Sequence, residues 1–130
     1  MTPPAVLAIG LDPAFADFSD MPQLTPALVR AYVEAEIASV RQSGFDVDLH
    51  LVAPGEAAES EIEAALRARD YACVVIGAGL REPVDQLLLF EKLLNLVHRL
   101  APQARIAFNS APNDTADAIE RWVALPGGDF

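Results

Sequence analysis

Two short patterns place histidine beside carboxylates. Asp46, Asp48 and His50 recur at every second residue, the period that puts side chains on one face of a strand. Glu91, Asn95 and His98 are three and four apart, the spacing that shares one face of a helix. Each trio carries oxygen and imidazole groups able to ligate a metal ion. The plainer reading is a solvated face in both cases, so no metal site is assigned. Cys73 is the single cysteine and runs into Val74-Val75-Ile76. It reads as a small buried hydrophobe, because a reactive thiol needs exposure and nearby positive charge. One cysteine also excludes an internal disulfide or a cysteine-based zinc site. Ser110 has no glycine-flanked nucleophile elbow around it. Its one conceivable base is His50, with two strand positions intervening, since His98 falls at the opposite end of the fold. No catalytic residue is assigned on these grounds.

The glycines and helix starts speak against bound phosphate. Gly77-Ala78-Gly79 suggests a dinucleotide fingerprint, but that motif follows a first strand, and its third glycine position is Glu82 here. A tight turn is the simpler expectation. The first strand ends Gly10-Leu11-Asp12 and leads into Pro13-Ala14-Phe15. A flavin phosphate loop wants glycines and hydroxyls there, and an SGNH hydrolase wants Gly-Asp-Ser. Glu82, Asp85, Asp114 and Asp117 fall in the first turns of the last two expected helices and already answer the helix dipoles. No cofactor is expected.

Nineteen acids against nine bases give a net charge of −10, and Lys92 is the only lysine. Binding to a phosphate backbone needs clustered Lys and Arg, so neither nucleic acid nor an anionic membrane is an expected partner. Hydrophobic residues make up 52% of the chain, too many for a disordered segment. No apolar run approaches the ~20 residues of a membrane helix. The start, Met1-Thr2-Pro3-Pro4, lacks the basic residues of a signal peptide. A cytoplasmic location follows by default. The length suits a single domain, 1–130, with 126–130 as a fraying tail.

The elements follow from periodicity. Residues 5–11 are an apolar strand. Thr25 and Pro26 start a helix that Gly44 ends. Phe45, Val47, Leu49 and Leu51 alternate with Asp46, Asp48 and His50, as in an edge strand wet on one face. Ser60 with Glu63 makes a capping box for a second helix. Residues 71–78 are apolar throughout and suit a central strand. Pro83 opens a long helix to about Ala101. Residues 104–109 form a fourth strand. A last helix places Ala116, Ile119, Trp122 and Val123 on one face. Strict βα alternation implies a parallel sheet with right-handed crossovers. An edge second strand and a central third give the order 2-1-3-4. The fold class is a three-layer α/β/α domain of the flavodoxin-like, Rossmann-like kind, with the switch point between strands one and three. Helices one and four are expected on one face, and two and three on the other.

Ligands of such sheets bind beyond the carboxyl ends of the strands. The connection 12–25 is long for a βα loop and meets the 77–82 and 109–114 loops there. The candidate ligand residues are Asp12, Phe15, Gly77, Gly79, Arg81, Asn109 and Ser110. The acidic edge suits a small neutral or cationic ligand, or a divalent ion. The alternative is a non-catalytic interaction module. The 83–101 helix is apolar around about half its circumference, more than one sheet contact needs, which suggests a homodimer through it.

Overall fold

Strand β1 (Ala5–Leu11) runs through the middle of the sheet, and its sequence explains the position. Leu7, Ile9 and Leu11 point to one face; Val6, Ala8 and Gly10 point to the other. Both faces are covered by helices, so no residue of the strand is polar. The strand pairs in parallel with β2 (Asp46–Val52) and with β3 (Cys73–Ile76). Strand β3 pairs in parallel with β4 (Arg105–Phe108). The order β2-β1-β3-β4 is the expected one. The computed structural model describes residues 2–125, so the 126–130 tail lies outside the described residues.

Helix α1 (Pro26–Gln42) starts where Thr25 Oγ1 accepts the Leu28 N–H at 3.1 Å. Gly44 follows its end at φ 114°, a conformation L side chains avoid. Helix α5 (Thr115–Glu120) packs beside α1, on the face of Val6, Ala8, Val75 and Ala107. Helices α2 (Glu56–Ala68) and α4 (Leu87–Leu100) cover the other face, against Leu7, Ile9, Val74 and Ile76. The expected assignment of helices to faces therefore holds.

Four local expectations do not. Helix α2 begins at Gly55 and Glu56, ahead of Ser60. No capping box forms at Ser60; its hydroxyl donates back to the Glu56 carbonyl, and Glu63 pairs with Arg67. Glu56 and Glu59 already supply negative charge to the first turn. The 83–101 stretch is not one helix. A short α3 (Ala78–Arg81) precedes Pro83, a 3-10 turn covers Val84–Gln86, and α4 starts at Leu87. Gly77-Ala78-Gly79 thus opens α3 rather than making a tight turn. The last helix ends at Glu120, which leaves Trp122 53% exposed instead of on the buried face. Among the described residues no helix is long and apolar enough to cross a membrane.

The two halves of the core differ in bulk. On the α2/α4 face, leucines and isoleucines from β1 and β3 meet Ile62, Leu66, Leu93 and Val97. On the α1/α5 face, β1 and β3 contribute only valine, alanine, cysteine and glycine, while β2 adds Val47, Leu49 and Leu51. That difference opens space between the sheet and α1.

Candidate functional site

Near the carboxyl ends of β1 and β3, the small residues Ala8, Gly10, Val75 and Gly77 leave room beneath α1. A cavity of about 350 Å³ lies above them. Val29, Val33 and Ile37 of α1 form its opposite wall, and Leu49 and Leu51 of β2 close one side. Pro13, Ala16, Phe18 and Met21 of the 12–25 connection cover the top; Ala111, Pro112 and Thr115 close the far end. At Gly10 an added Cβ would lie 3.0 Å from Leu51 Cδ2, so a side chain there would enter the same space.

The far end carries the only polar side chains of the described lining, Asn109 and Thr115. Asn109 Oδ1 accepts the Ala78 N–H at 3.1 Å, and its Nδ2 donates to Thr115 Oγ1 at 2.9 Å. The Thr115 hydroxyl donates in turn to the Pro112 carbonyl at 2.8 Å. This chain ties β3's exit to β4's exit and fixes the end wall. Gly77 lets the backbone come close: its N–H donates to the Ile9 carbonyl at 2.9 Å, and an added Cβ would sit 3.4 Å from that oxygen.

Of the sequence candidates, Gly77, Gly79 and Asn109 line the cavity. The other four surround it and are engaged elsewhere. Asp12 Oδ1 accepts the Ala14 N–H at 3.0 Å and the Arg30 guanidinium at 2.5 Å, which pins the start of the 12–25 connection to α1. Phe15 is 52% exposed and points outward. Arg81 lies on the α4 side of the sheet. Its Nε donates to the Ile76 carbonyl at 3.0 Å, its Nη2 to the Asn109 carbonyl, and its guanidinium stacks 4.8 Å from the Phe108 ring centre. The Ser110 hydroxyl donates to the Asp114 carboxylate, which also accepts the N–H groups of Ser110 and Ala111. Partial burial works to raise the Asp114 carboxyl, but these hydrogen bonds outweigh it and hold the group below its ordinary range.

The histidine patterns are likewise occupied. His50 Nδ1 meets Glu61 Oε2 at 2.7 Å. Asp48 accepts from the Tyr71 hydroxyl at 2.7 Å and from Arg69 at 3.1 Å, and Asp46 also pairs with Arg69. Glu91, Asn95 and His98 face solvent. Cys73 is fully buried, and burial pushes its thiol up to about 12. Among the described residues, no three His, Cys, Asp or Glu side chains converge as metal ligands would.

Sequence reading pointed to the carboxyl edge of the sheet, where this cavity lies, but did not name the cavity's floor and wall. The signal was present in β1. Leu7, Ile9 and Leu11 alternate with Val6, Ala8 and Gly10, so one face of the strand is bulky and the other tapers to nothing. Phe18 and Met21 were visible in the long connection, but nothing local shows that both border the cavity, Met21 while still 45% exposed, and that Phe15 does not. No known family matches the sequence, and no curated protein is significantly similar to it.

Proposed function

We propose that the chain is a binding domain for a small, uncharged, largely hydrocarbon molecule held between the sheet and α1, under the 12–25 connection. One observation carries this reading: the described lining of the cavity is apolar and contains no ionisable side chain. A charged ligand would lose its hydration there without gaining a partner, at a cost of several kcal/mol or more. The volume lies at the lower end of the ~300–1,000 Å³ range of small-molecule sites. The expectation of a neutral or cationic ligand, or a divalent ion, therefore narrows to the neutral one. Asn109 and Thr115 close the far end, but their hydrogen bonds are spent on Ala78, Pro112 and each other, so the ligand would be held by apolar contact.

Octanol, octanoate and octylammonium share one hydrocarbon tail and differ in charge, which makes them a direct test by calorimetry and thermal shift. Octanol is expected to bind at least ~10-fold more tightly than either ion. Ala8→Leu and Val33→Trp, which fill the cavity from opposite walls, are expected to abolish its binding. Equal affinity for an ion, or octanol binding unchanged in both variants, would defeat the proposal.

Self-association through the 83–101 segment is a second reading, and exposed Val84, Leu87 and Leu88 favour it. The main stripe, Leu89, Leu93, Leu96 and Leu100, does not contribute, because it packs within the chain's own core. A contact through this region leaves the cavity open, since the two lie on opposite faces of the sheet.

A further inference from the structure

Strand β4 is an edge, and the hydrogen bonds around it leave a specific set of groups open. The Arg105 N–H donates inward to the Ala72 carbonyl at 2.9 Å. Strand alternation then turns the backbone of Arg105 and Ala107 toward β3, and that of Ala104, Ile106 and Phe108 outward. Two outward groups are already used. The Ala104 N–H donates to the Ala101 carbonyl at 3.0 Å, and the Phe108 carbonyl accepts Arg121 Nη2 at 2.9 Å. Among the described residues this leaves the N–H and C=O of Ile106, the N–H of Phe108 and the C=O of Ala104.

We propose that two copies of the chain pair antiparallel through β4, about a twofold axis at Ile106, and join their sheets into one. In that register Ile106 exchanges both of its bonds with Ile106 of the second copy. Each Phe108 N–H donates to Ala104 C=O of the other copy. The pairing uses each of the four open groups and none of those already engaged. Side chains agree with it. On the α4 face, Phe108 lies across from an alanine and Ile106 from its own equivalent. On the opposite face Arg105 lies across from Ala107, so the two arginines do not confront each other. A generic foreign strand would not match this distribution of donors and acceptors, and a second copy does.

A strand of this length cannot by itself reach the ~800 Å² per partner of a stable interface. The remainder comes from the same edge of the α4 layer. Phe90 packs edge-on against Phe108 with ring centres 5.8 Å apart, and Leu87 and Phe108 stay 49% and 39% exposed. Half-buried Leu94 and Ile106 continue the apolar surface. The other sheet edge differs: β2 carries Asp46 and Asp48 bound to Arg69, charges that blunt strand pairing.

Sedimentation of the full chain from low micromolar concentration upward, combined with amide hydrogen exchange, tests the pairing. A dimer is expected, with the Ile106 and Phe108 amides slowed at least ~100-fold as it forms. The Arg105 and Ala107 amides should be protected at every concentration. Ile106→Pro removes an outward N–H, a place where an edge strand tolerates proline. It should give a monomer that keeps Ala107 protected and exposes Phe108. If that variant loses Ala107 protection it has unfolded, and the concentration dependence of the parent's Ile106 amide then decides. A parent that stays monomeric overturns the proposal. So does a dimer whose Ile106 amide exchanges freely, or one that survives Ile106→Pro.

Discussion

Asn109 shows how a polar side chain can shape an apolar site without being offered to the ligand. Both ends of its amide are spent inside the protein, on Ala78 and Thr115. Asn109→Ala would orphan the Ala78 N–H and the Thr115 partner together. It is expected to cost about 1–3 kcal/mol in chemical denaturation. From sequence, Asn109 was legible as a residue at the carboxyl edge. Its role was not, because Ala78 stands 31 positions earlier and only the β3–β4 pairing brings them together. Arg81 was legible at the same edge, but not that its helix turns it to the far face of the sheet, onto Phe108. Asp48 carries a residue-scale prediction in pH. The Tyr71 hydroxyl, helped by Arg69, holds its carboxyl below the ordinary range against the opposing effect of burial. A depressed carboxylate contributes stability above its unfolded value, near pH ~3.9, and loses it as pH falls through the lower folded value. The stability difference between the parent and Tyr71→Phe should therefore be full at neutral pH and shrink below about pH 4. A difference that is constant through the acid limb would show that the hydroxyl acts only by packing.

At the scale of elements, periodicity was reliable where one face is buried and one is wet. Strand β2 alternates and sits at the edge; α4 repeats its leucines and buries that stripe. It was unreliable where two short elements run together. The stretch from Gly77 to Leu100 holds α3, a 3-10 turn and α4. Pro83 was visible, but proline opens a helix and interrupts one with the same residue. The apolar excess of the stretch also has two sources that sequence cannot separate. Leu93 is fully buried while Leu88 is 64% exposed. Leu93→Ala is expected to cost about 2–5 kcal/mol in denaturant melts. Leu88→Ala should change stability by no more than ~0.5 kcal/mol. Comparable losses from both would mean that Leu88 is covered in solution.

For the whole molecule, the two faces of one sheet are packed to different degrees, and this follows from the composition of the central strands. Strict alternation in β1 sends Leu7, Ile9 and Leu11 to one layer and Val6, Ala8 and Gly10 to the other. The first layer is filled by the bulkier set, with Leu7, Ile9, Val74 and Ile76 meeting Ile62, Leu66, Leu93 and Val97. In the second, α1 spans the gap left by small residues, and the 12–25 connection covers it. A closely packed layer resists extra methylenes, typically by 1–3 kcal/mol, because neighbours must leave their rotamers. A cavity wall accepts them and gains contacts that the void lacked. One chemical change can therefore report on both layers. Ala58 is 1% exposed in the α2/α4 layer, and Ala8 is 5% exposed on the cavity floor. Ala58→Leu is expected to lower the thermal midpoint. Ala8→Leu should leave it unchanged or raise it, while removing the room for a ligand. That opposition would show that the room for added volume lies on the α1 side of the sheet, where the proposed ligand would rest. If both substitutions destabilise the chain equally, the α1 layer is packed like its counterpart, and the case for a bound molecule there falls with it.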